Sequence, residues 1–307
     1  MIKTTPFEMV FIISETMFVA GIDGGGTHTR IELRDMENQL LKRGEFGPFN
    51  LNSIGEAAFR TLLREVFTWC GGMADCAKLC VGAAGVSNPN VSVILKEELE
   101  RSGFRGKWYL CGDQEIALRG AMEGPGIVVI SGTGSICFGK NSAGETARSG
   151  GYGHLIDDGG SGYALGRDVL SAAVRAYDGR LENNSMLLAV CSRLEGGPEK
   201  IVPFVYAPET DKAAIAKFSW IALELAQRGD PEARKILEQG AGELCALVSA
   251  VQQRLGMPKC RIALLGGLID HDNAYRRVVA DQLTYLGPVL PAAHNALWGA
   301  AQLAWEL

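Results

Sequence analysis

The stretch FVAGIDGGGTHTRIELRD, residues 18–35, sets the terms for everything after it. Two strand-like runs flank Asp23-Gly24-Gly25-Gly26-Thr27. A tight hairpin needs at most one or two glycines to turn. Three in succession, with an acid before them and Thr27 and Thr29 after, predict a backbone that another molecule approaches closely.

The layout returns about a hundred residues later. GIVVISGTGSICFG, residues 126–139, is an apolar strand, a turn of Gly132-Thr133-Gly134-Ser135, and a second apolar strand. Ile22 to Thr27 laid over Ile130 to Ser135 match in layout, which predicts an internal duplication. Outward from the first turn, residues 18–22, 30–33 and 40–45 read as three meandering strands. A capping box at Ser53-Ile54-Gly55-Glu56 predicts a helix with Ile54, Ala58, Leu62 and Val66 on one face. A strand at 78–82, a helix from Asn88-Pro89 to Gly103 and a strand at 108–111 complete an α/β pattern. The second half turns helical over 161–177, 185–195, 211–228 and 230–255. A strand at 261–265 then ends in Gly266-Gly267, and two helices follow.

Residues 17–113, rejoined by a C-terminal helix at 291–307, are expected to form one domain, and residues 114–290 a second with helical insertions. No low-complexity linker separates them, which predicts a cleft where they meet. Residues 1–16 read as an N-terminal extension, with Met17 as an alternative start, or as an extra edge strand.

Composition narrows the function. A chain of 307 residues, 47% hydrophobic, can bury two sizeable cores. A formal charge of −5 leaves no basic footprint, which argues against a nucleic-acid partner. No apolar run reaches the eighteen or so residues of a membrane span. The eight cysteines include no C-x-x-C pair, and none of the four histidines is spaced with them as a zinc ligand. Without a signal sequence they read as reduced, buried thiols of a cytoplasmic protein.

Neither glycine turn is a Walker loop, because G-x-x-x-x-G-K-[ST] is absent. Both offer bare backbone N–H groups and hydroxyls, which suit phosphate oxygens. Asp23 would repel phosphate unless a cation lies between them, and Mg²⁺ is commonly held by one carboxylate plus phosphates. Two such turns predict a nucleotide clamp, although either alone could be an ordinary glycine hairpin. Asp113, in YLCGDQEIALRG, follows an apolar strand and precedes a helix, so it suits a proton acceptor or a helix cap. GGYGHLIDDGGSGYALGRD, residues 150–168, carries more acids, aromatics and glycines than a helix start requires.

With these motifs in place the chain resembles the sugar kinases of the actin/hexokinase/Hsp70 superfamily. Within it the match is to the group of N-acetylglucosamine kinases and BadF/BadG/BcrA/BcrD ATPases, from about residue 18 to the end. The resemblance implies two ribonuclease H-like, actin-like ATPase domains. It implies ATP held by Asp23, Gly24, Gly25, Gly26 and Thr27, by Gly132, Thr133, Gly134 and Ser135, and by Gly266 and Gly267 against the nucleoside. Mg²⁺ would sit by Asp23 through water. Asp113 becomes the catalytic base that takes the proton of the sugar's hydroxymethyl (6-) hydroxyl. Asn50 and Asp158 are assigned to the sugar, Tyr152 to packing against its ring or N-substituent, and His154 to a structural hydrogen bond. The acceptor expected is an amino sugar: N-acetylglucosamine, glucosamine, N-acetylmuramic acid or a mannosamine. A homodimer is compatible with the family.

The sequence departs from the animal kinases at Ile136, where they carry asparagine, and at Tyr152, where they carry tryptophan. Two other readings stay open. ATPases that activate 2-hydroxyacyl-CoA dehydratases or benzoyl-CoA reductases share an iron–sulfur cluster between subunits. Cys137 follows the second glycine turn, but no cysteine occurs between Gly139 and Val190 to be a second ligand. A non-enzymatic sugar sensor on this fold would not need Asp113, and the chain lacks a helix-turn-helix or C-x-C-G-x-x-G-C motif.

Overall fold

The computed structural model describes residues 17–307; the reading of residues 1–16 lies outside them. Two compact units emerge, one running to Ile116 and taking back Ala296–Leu307, the other Ala117–Asn295.

The first unit is built on β1 (Phe18–Gly24), β2 (Thr29–Asp35) and β3 (Leu40–Phe46), an antiparallel meander. Then come α1 (Leu51–Trp69), β4 (Cys76–Ala83), α2 (Pro89–Arg101) and β5 (Lys107–Gly112). The helical crossovers make β4 and β5 parallel to β1, giving the order β3-β2-β1-β4-β5. β1 is buried almost throughout, because helices cover both faces of the parallel centre. At Gly21 a side chain would collide with the backbone of Ala301, so glycine lets the last helix lie directly on β1. The main core gathers Ile22, Ile31, Leu33, Phe59, Leu63, Leu79 and Val81.

α3 (Asp113–Ala121) leads into β6 (Gly126–Ser131), β7 (Ser135–Lys140) and β8 (Thr146–Gly150), again an antiparallel meander. Six helices follow: α4 (Gly162–Tyr177), α5 (Ser185–Arg193), α6 (Ile201–Tyr206), α7 (Lys212–Ala216), α8 (Ser219–Gln227) and α9 (Pro231–Leu255). β9 (Ile262–Leu265), α10 (Ala274–Leu283), β10 (Val289–Leu290) and α11 (Ala296–Trp305) end the chain. The second sheet runs β10-β9-β6-β7-β8, with β9 and β10 parallel to β6. Each meander is thus followed by two parallel strands added on the far side of its first strand. That is the duplication anticipated from the two glycine turns.

Three local readings need correction. The first helix is capped by Asn50, not by the Ser53 box, and Gly55 interrupts it at φ 77°. The helix expected over 211–228 is two, since α7 stops at Ala216 and α8 starts at Ser219. β8, α6 and β10 are additional, and β8 has no alternating apolar residues that would announce it.

Candidate active site

In the first unit the carboxyl ends of β1, β4 and β5 lie side by side, with Gly24 opposite Ala83 and Ala83 opposite Gly112. The chain ends there in the Asp23 turn, the Gly85 turn and Asp113, at the edge where open α/β sheets take their ligands. The turn after β1 is tied at its base. Gly25 N–H donates to His28 O (2.9 Å), Phe49 N–H to Gly25 O (2.9 Å) and Ala84 N–H to Gly24 O (2.9 Å). Phe49 is buried edge-on against Phe59 (4.8 Å), and its ring fills the place a Gly24 side chain would need. Gly26 and Thr27 remain exposed at the tip. Thr29 does not contribute its hydroxyl to the turn, because that group is buried and donates to Gly47 O (2.6 Å).

The same Phe49 anchor fixes Asn50 beside the turn. Asn50 Oδ1 accepts Asn52 N–H (3.1 Å), while Asn88 Nδ2 donates to Asn52 Oδ1 (2.7 Å). Gly85 packs beneath the Asn50 and Asn52 carboxamides. Asn52 and Asn88 escaped the sequence reading, where Asn88 was only a helix start. Three clustered carboxamides before two helices were the available signal.

Asp113 opens α3, and its Oδ1 accepts the N–H of Gln114 (3.0 Å). Burial raises its pKa above the ordinary carboxylate range, and the Gln114 N–H only partly opposes that. Asp23 is also pushed up, first by burial and then by the charge of Asp113, while Arg30 pulls it down. The two acids therefore feel one another. This patch can take a proton and attract a cation.

In the second unit the turn after β6 is narrower, closing on the Ser131/Ser135 pair. Its carbonyls are taken from the side by α4: Gly162 N–H donates to Gly132 O (2.7 Å) and Tyr163 N–H to Thr133 O (3.2 Å). Ser135 faces inward, with Oγ donating to Gly159 O (2.7 Å) and N–H to Asp158 Oδ1 (3.3 Å). Asp158 is 3% exposed at φ 66°, and its carboxylate lies against Gly134. It braces the turn in this conformation. Among the described residues no partner is found for the Thr133 hydroxyl. Gly266, at φ 95°, leaves no room for a side chain against Ser131 O, and Leu268 N–H donates to that same carbonyl (3.1 Å). So Gly266-Gly267 stands directly against the base of the Gly132 turn.

Tyr152 is 62% exposed on the following loop, with its N–H on Asp157 Oδ2 (3.1 Å) and the Arg148 guanidinium 4.8 Å from its ring centre. His154 packs edge-on against Tyr163 (4.7 Å); no hydrogen bond to its ring is found among the described residues, unlike the role expected of it. Ile136 fills the space beside Gly151. A cavity of about 670 Å³ opens behind this loop, lined by His154, Asp157, Gly159, Arg167, Asp168 and Glu243. Neither the Gly132 turn nor Gly266-Gly267 lines it, so it is separate from the candidate nucleotide residues.

Within each unit, then, the predicted residues converge: Asp23, Gly24–Gly26, Thr27, Asn50 and Asp113 in the first, Gly132–Ser135, Asp158 and Gly266-Gly267 in the second. Tyr152 stands apart from the second cluster, on the exposed loop.

The chain is 34% identical over 265 residues to the N-acetylmuramic acid/N-acetylglucosamine kinase of Clostridium acetobutylicum, covering 83% of this chain and 87% of that one. It is 30% identical over 315 residues to the N-acetyl-D-glucosamine kinase of Dictyostelium discoideum, covering 95% and 98%. A structure from Chromobacterium violaceum, provisionally named an N-acetylglucosamine kinase, superposes with a TM-score of 0.75 at 26% identity over 94% and 99%. The likeness extends to sugar kinases of actin-like, ribonuclease H-like fold, as the paired sheets suggested. The model of the BadF/BadG/BcrA/BcrD ATPase family matches residues 20–304, and the chain belongs to that family.

Proposed function

We propose that the protein transfers the γ-phosphoryl group of ATP to the 6-hydroxyl of an amino sugar, N-acetylglucosamine or a relative such as glucosamine or N-acetylmuramic acid. The observation that carries this reading is Asp113. It is a carboxylate of raised pKa at the ligand-binding edge of a sheet, beside an acidic glycine turn. A raised pKa makes a carboxylate a better proton acceptor. Phosphoryl transfer otherwise asks for positioning and charge stabilisation rather than covalent chemistry.

Asp113 takes the proton as the hydroxyl oxygen attacks phosphorus. The bare N–H groups of the two glycine turns, with Thr27 and Thr133, hold phosphate oxygens, and Gly266-Gly267 gives the nucleoside a flat backbone to lie on. Asn50 hydrogen-bonds a sugar hydroxyl and Tyr152 covers an apolar edge. Asp158 accepts from sugar hydroxyls, and its bond to Ser135 N–H also braces the phosphate-holding turn. Asp23 suits Mg²⁺, since burial and Asp113 both oppose its charge and a cation would relieve both. Bound there, the metal would neutralise charge on the phosphoryl oxygens.

The iron–sulfur alternative is disfavoured by Cys137, which is fully buried in β7 with its thiol pKa held high. A cluster ligand shared between subunits must reach the surface as a thiolate. Incubating the protein with ATP, Mg²⁺ and a panel of amino sugars, and coupling ADP release to an absorbance change, tests the proposal. No sugar-dependent ADP would reject it.

A further inference from the structure

The chain beyond β3 alternates as it enters α1. Phe49 and Leu51 are buried, while Asn50 and Asn52 turn outward. Residues 51–54 form a turn of their own, because Gly55, at φ 77° and ψ 165°, breaks the helix behind them. Packing does not require that break: a side chain at Gly55 would meet nothing within 4 Å.

Two backbone donors fix which way the carboxamides face. Asn50 Oδ1 accepts the N–H of Asn52 (3.1 Å), so its amino group must turn the other way. Asn88 Oδ1 accepts the N–H of Asn90 (3.0 Å), which leaves Asn88 Nδ2 to donate to Asn52 Oδ1 (2.7 Å). Asn52 then presents only its own Nδ2. Among the described residues neither Asn50 Nδ2 nor Asn52 Nδ2 has a hydrogen-bond partner. Both carboxamides lie over Gly85, two residues past Ala83, and Ala83 pairs with Gly112, just before Asp113. Two oriented donors thus stand one strand over from the acid, and neighbouring strands are about 4.8 Å apart.

We propose that Asn52, oriented by Asn88, donates from Nδ2 to the 4-hydroxyl oxygen of the acceptor sugar and so reads its configuration at C4. This rests on the amino-sugar kinase reading above. A sugar whose 6-hydroxyl gives its proton to Asp113 brings its 4-hydroxyl closest, since C4 and C6 are both bonded to C5. Ionised Asp113 can only accept, so the oxygen of an adjoining hydroxyl needs its donor from elsewhere, and the carboxamides supply one. Asn52 acts by touching the sugar, and Asn88 is a positioning residue.

The test crosses substrate with variant: KM and kcat for N-acetylglucosamine and its 4-deoxy analogue on wild type, Asn52→Ala and Asn88→Asp. Removing one neutral hydrogen bond should raise KM for N-acetylglucosamine by about 3- to 10-fold in Asn52→Ala, with kcat moving less. KM for the 4-deoxy sugar, already higher in wild type, should not rise further. Asn88→Asp keeps the α2 cap but offers Asn52 an acceptor. Asn52 then turns round, presents Oδ1 to the sugar, and KM rises with the same selectivity. A purely structural trio would weaken both sugars alike or shift only the melting temperature, and either result overturns the proposal. So does a wild type that takes the two sugars equally well, and an Asn88→Asp enzyme indistinguishable from wild type overturns the positioning role. Absence of ADP release with either sugar in wild type would instead count against the kinase reading, and this inference would fall with it.

Discussion

Replacing Asp113 by asparagine removes one proton acceptor and almost nothing else. The amide oxygen can still accept the Gln114 N–H, so the 3.0 Å bond at the start of α3 survives. What is lost is a negative charge near a helix N-terminus, worth about 0.3–1 kcal/mol. Against this stands the burial that raises the Asp113 pKa. A carboxyl whose pKa is raised by folding binds its proton more tightly in the folded state. Its contribution favours folding at low pH and is lost as the pH rises through that raised value. At neutral pH the ionised side chain thus works against the ligand-free fold, and asparagine relieves it. The two effects oppose, so the melting temperature should shift by no more than about 4 °C. Turnover should behave differently. Loss of a general base costs on the order of 10²–10⁴ in rate, or about 2.7–5.4 kcal/mol of barrier. The assay is kcat by coupled ADP release, with sugar affinity by calorimetry and melting on the same sample. In wild type, kcat/KM should fall as the pH drops through the raised Asp113 value, because the protonated acid cannot accept; the variant should lack that limb. An asparagine variant with near-wild-type kcat would refute the assignment, since a helix-capping role alone survives Asp→Asn.

Gly266→Ala forces a side chain against Ser131 O at positive φ, and should cost at least about 2 kcal/mol, read as a lower denaturation midpoint. Asp158→Ala strips the Ser135 N–H of its acceptor and should raise KM for ATP several-fold; a change confined to KM for the sugar would mean that bracing the turn is not its role. Glu98 is tied to Arg60, Arg64 and Arg101, which hold its pKa near 2. A depressed carboxylate stabilises above its unfolded pKa and loses that as the pH falls through the folded one, so Glu98→Gln should flatten the acid arm of a stability profile between about pH 4.5 and 2.

Much of this was legible in the chain, for physical reasons that differ by element. β1 and β6 announced themselves because strands buried on both faces are continuous apolar runs, and their glycine turns marked the duplication. α2 was readable from Asn88-Pro89, since proline at the first helical turn costs no hydrogen bond. β8 was not. Its TARSG sequence is held by pairing with β7 and by α9 packing behind it, which is tertiary context that no local pattern encodes. The capping box failed because Gly55 left the helical region, and Asn50, three residues before Ser53, already supplied a cap. At the site, residue types marked both glycine turns, but the sequence could not say which hydroxyls face the turn. Thr29 and Ser135 look identical to Thr27 and Thr133 in one dimension, and only the carbonyls of Gly47 and Gly159 separate them.

The repeated strand order also separates two kinds of evolutionary freedom. Where β5 is followed by Asp113, its counterpart β10 is a two-residue stub followed by Pro291, which has no group to exchange a proton. If Asp113 is the base, only the first of the two repeated halves carries acceptor chemistry at this position. On the proposed reading, changes around Asn50 and Tyr152 would retune the acceptor while the Gly132 and Gly266 turns stay constant. A lineage of such proteins would then diversify its sugars without rebuilding its donor machinery.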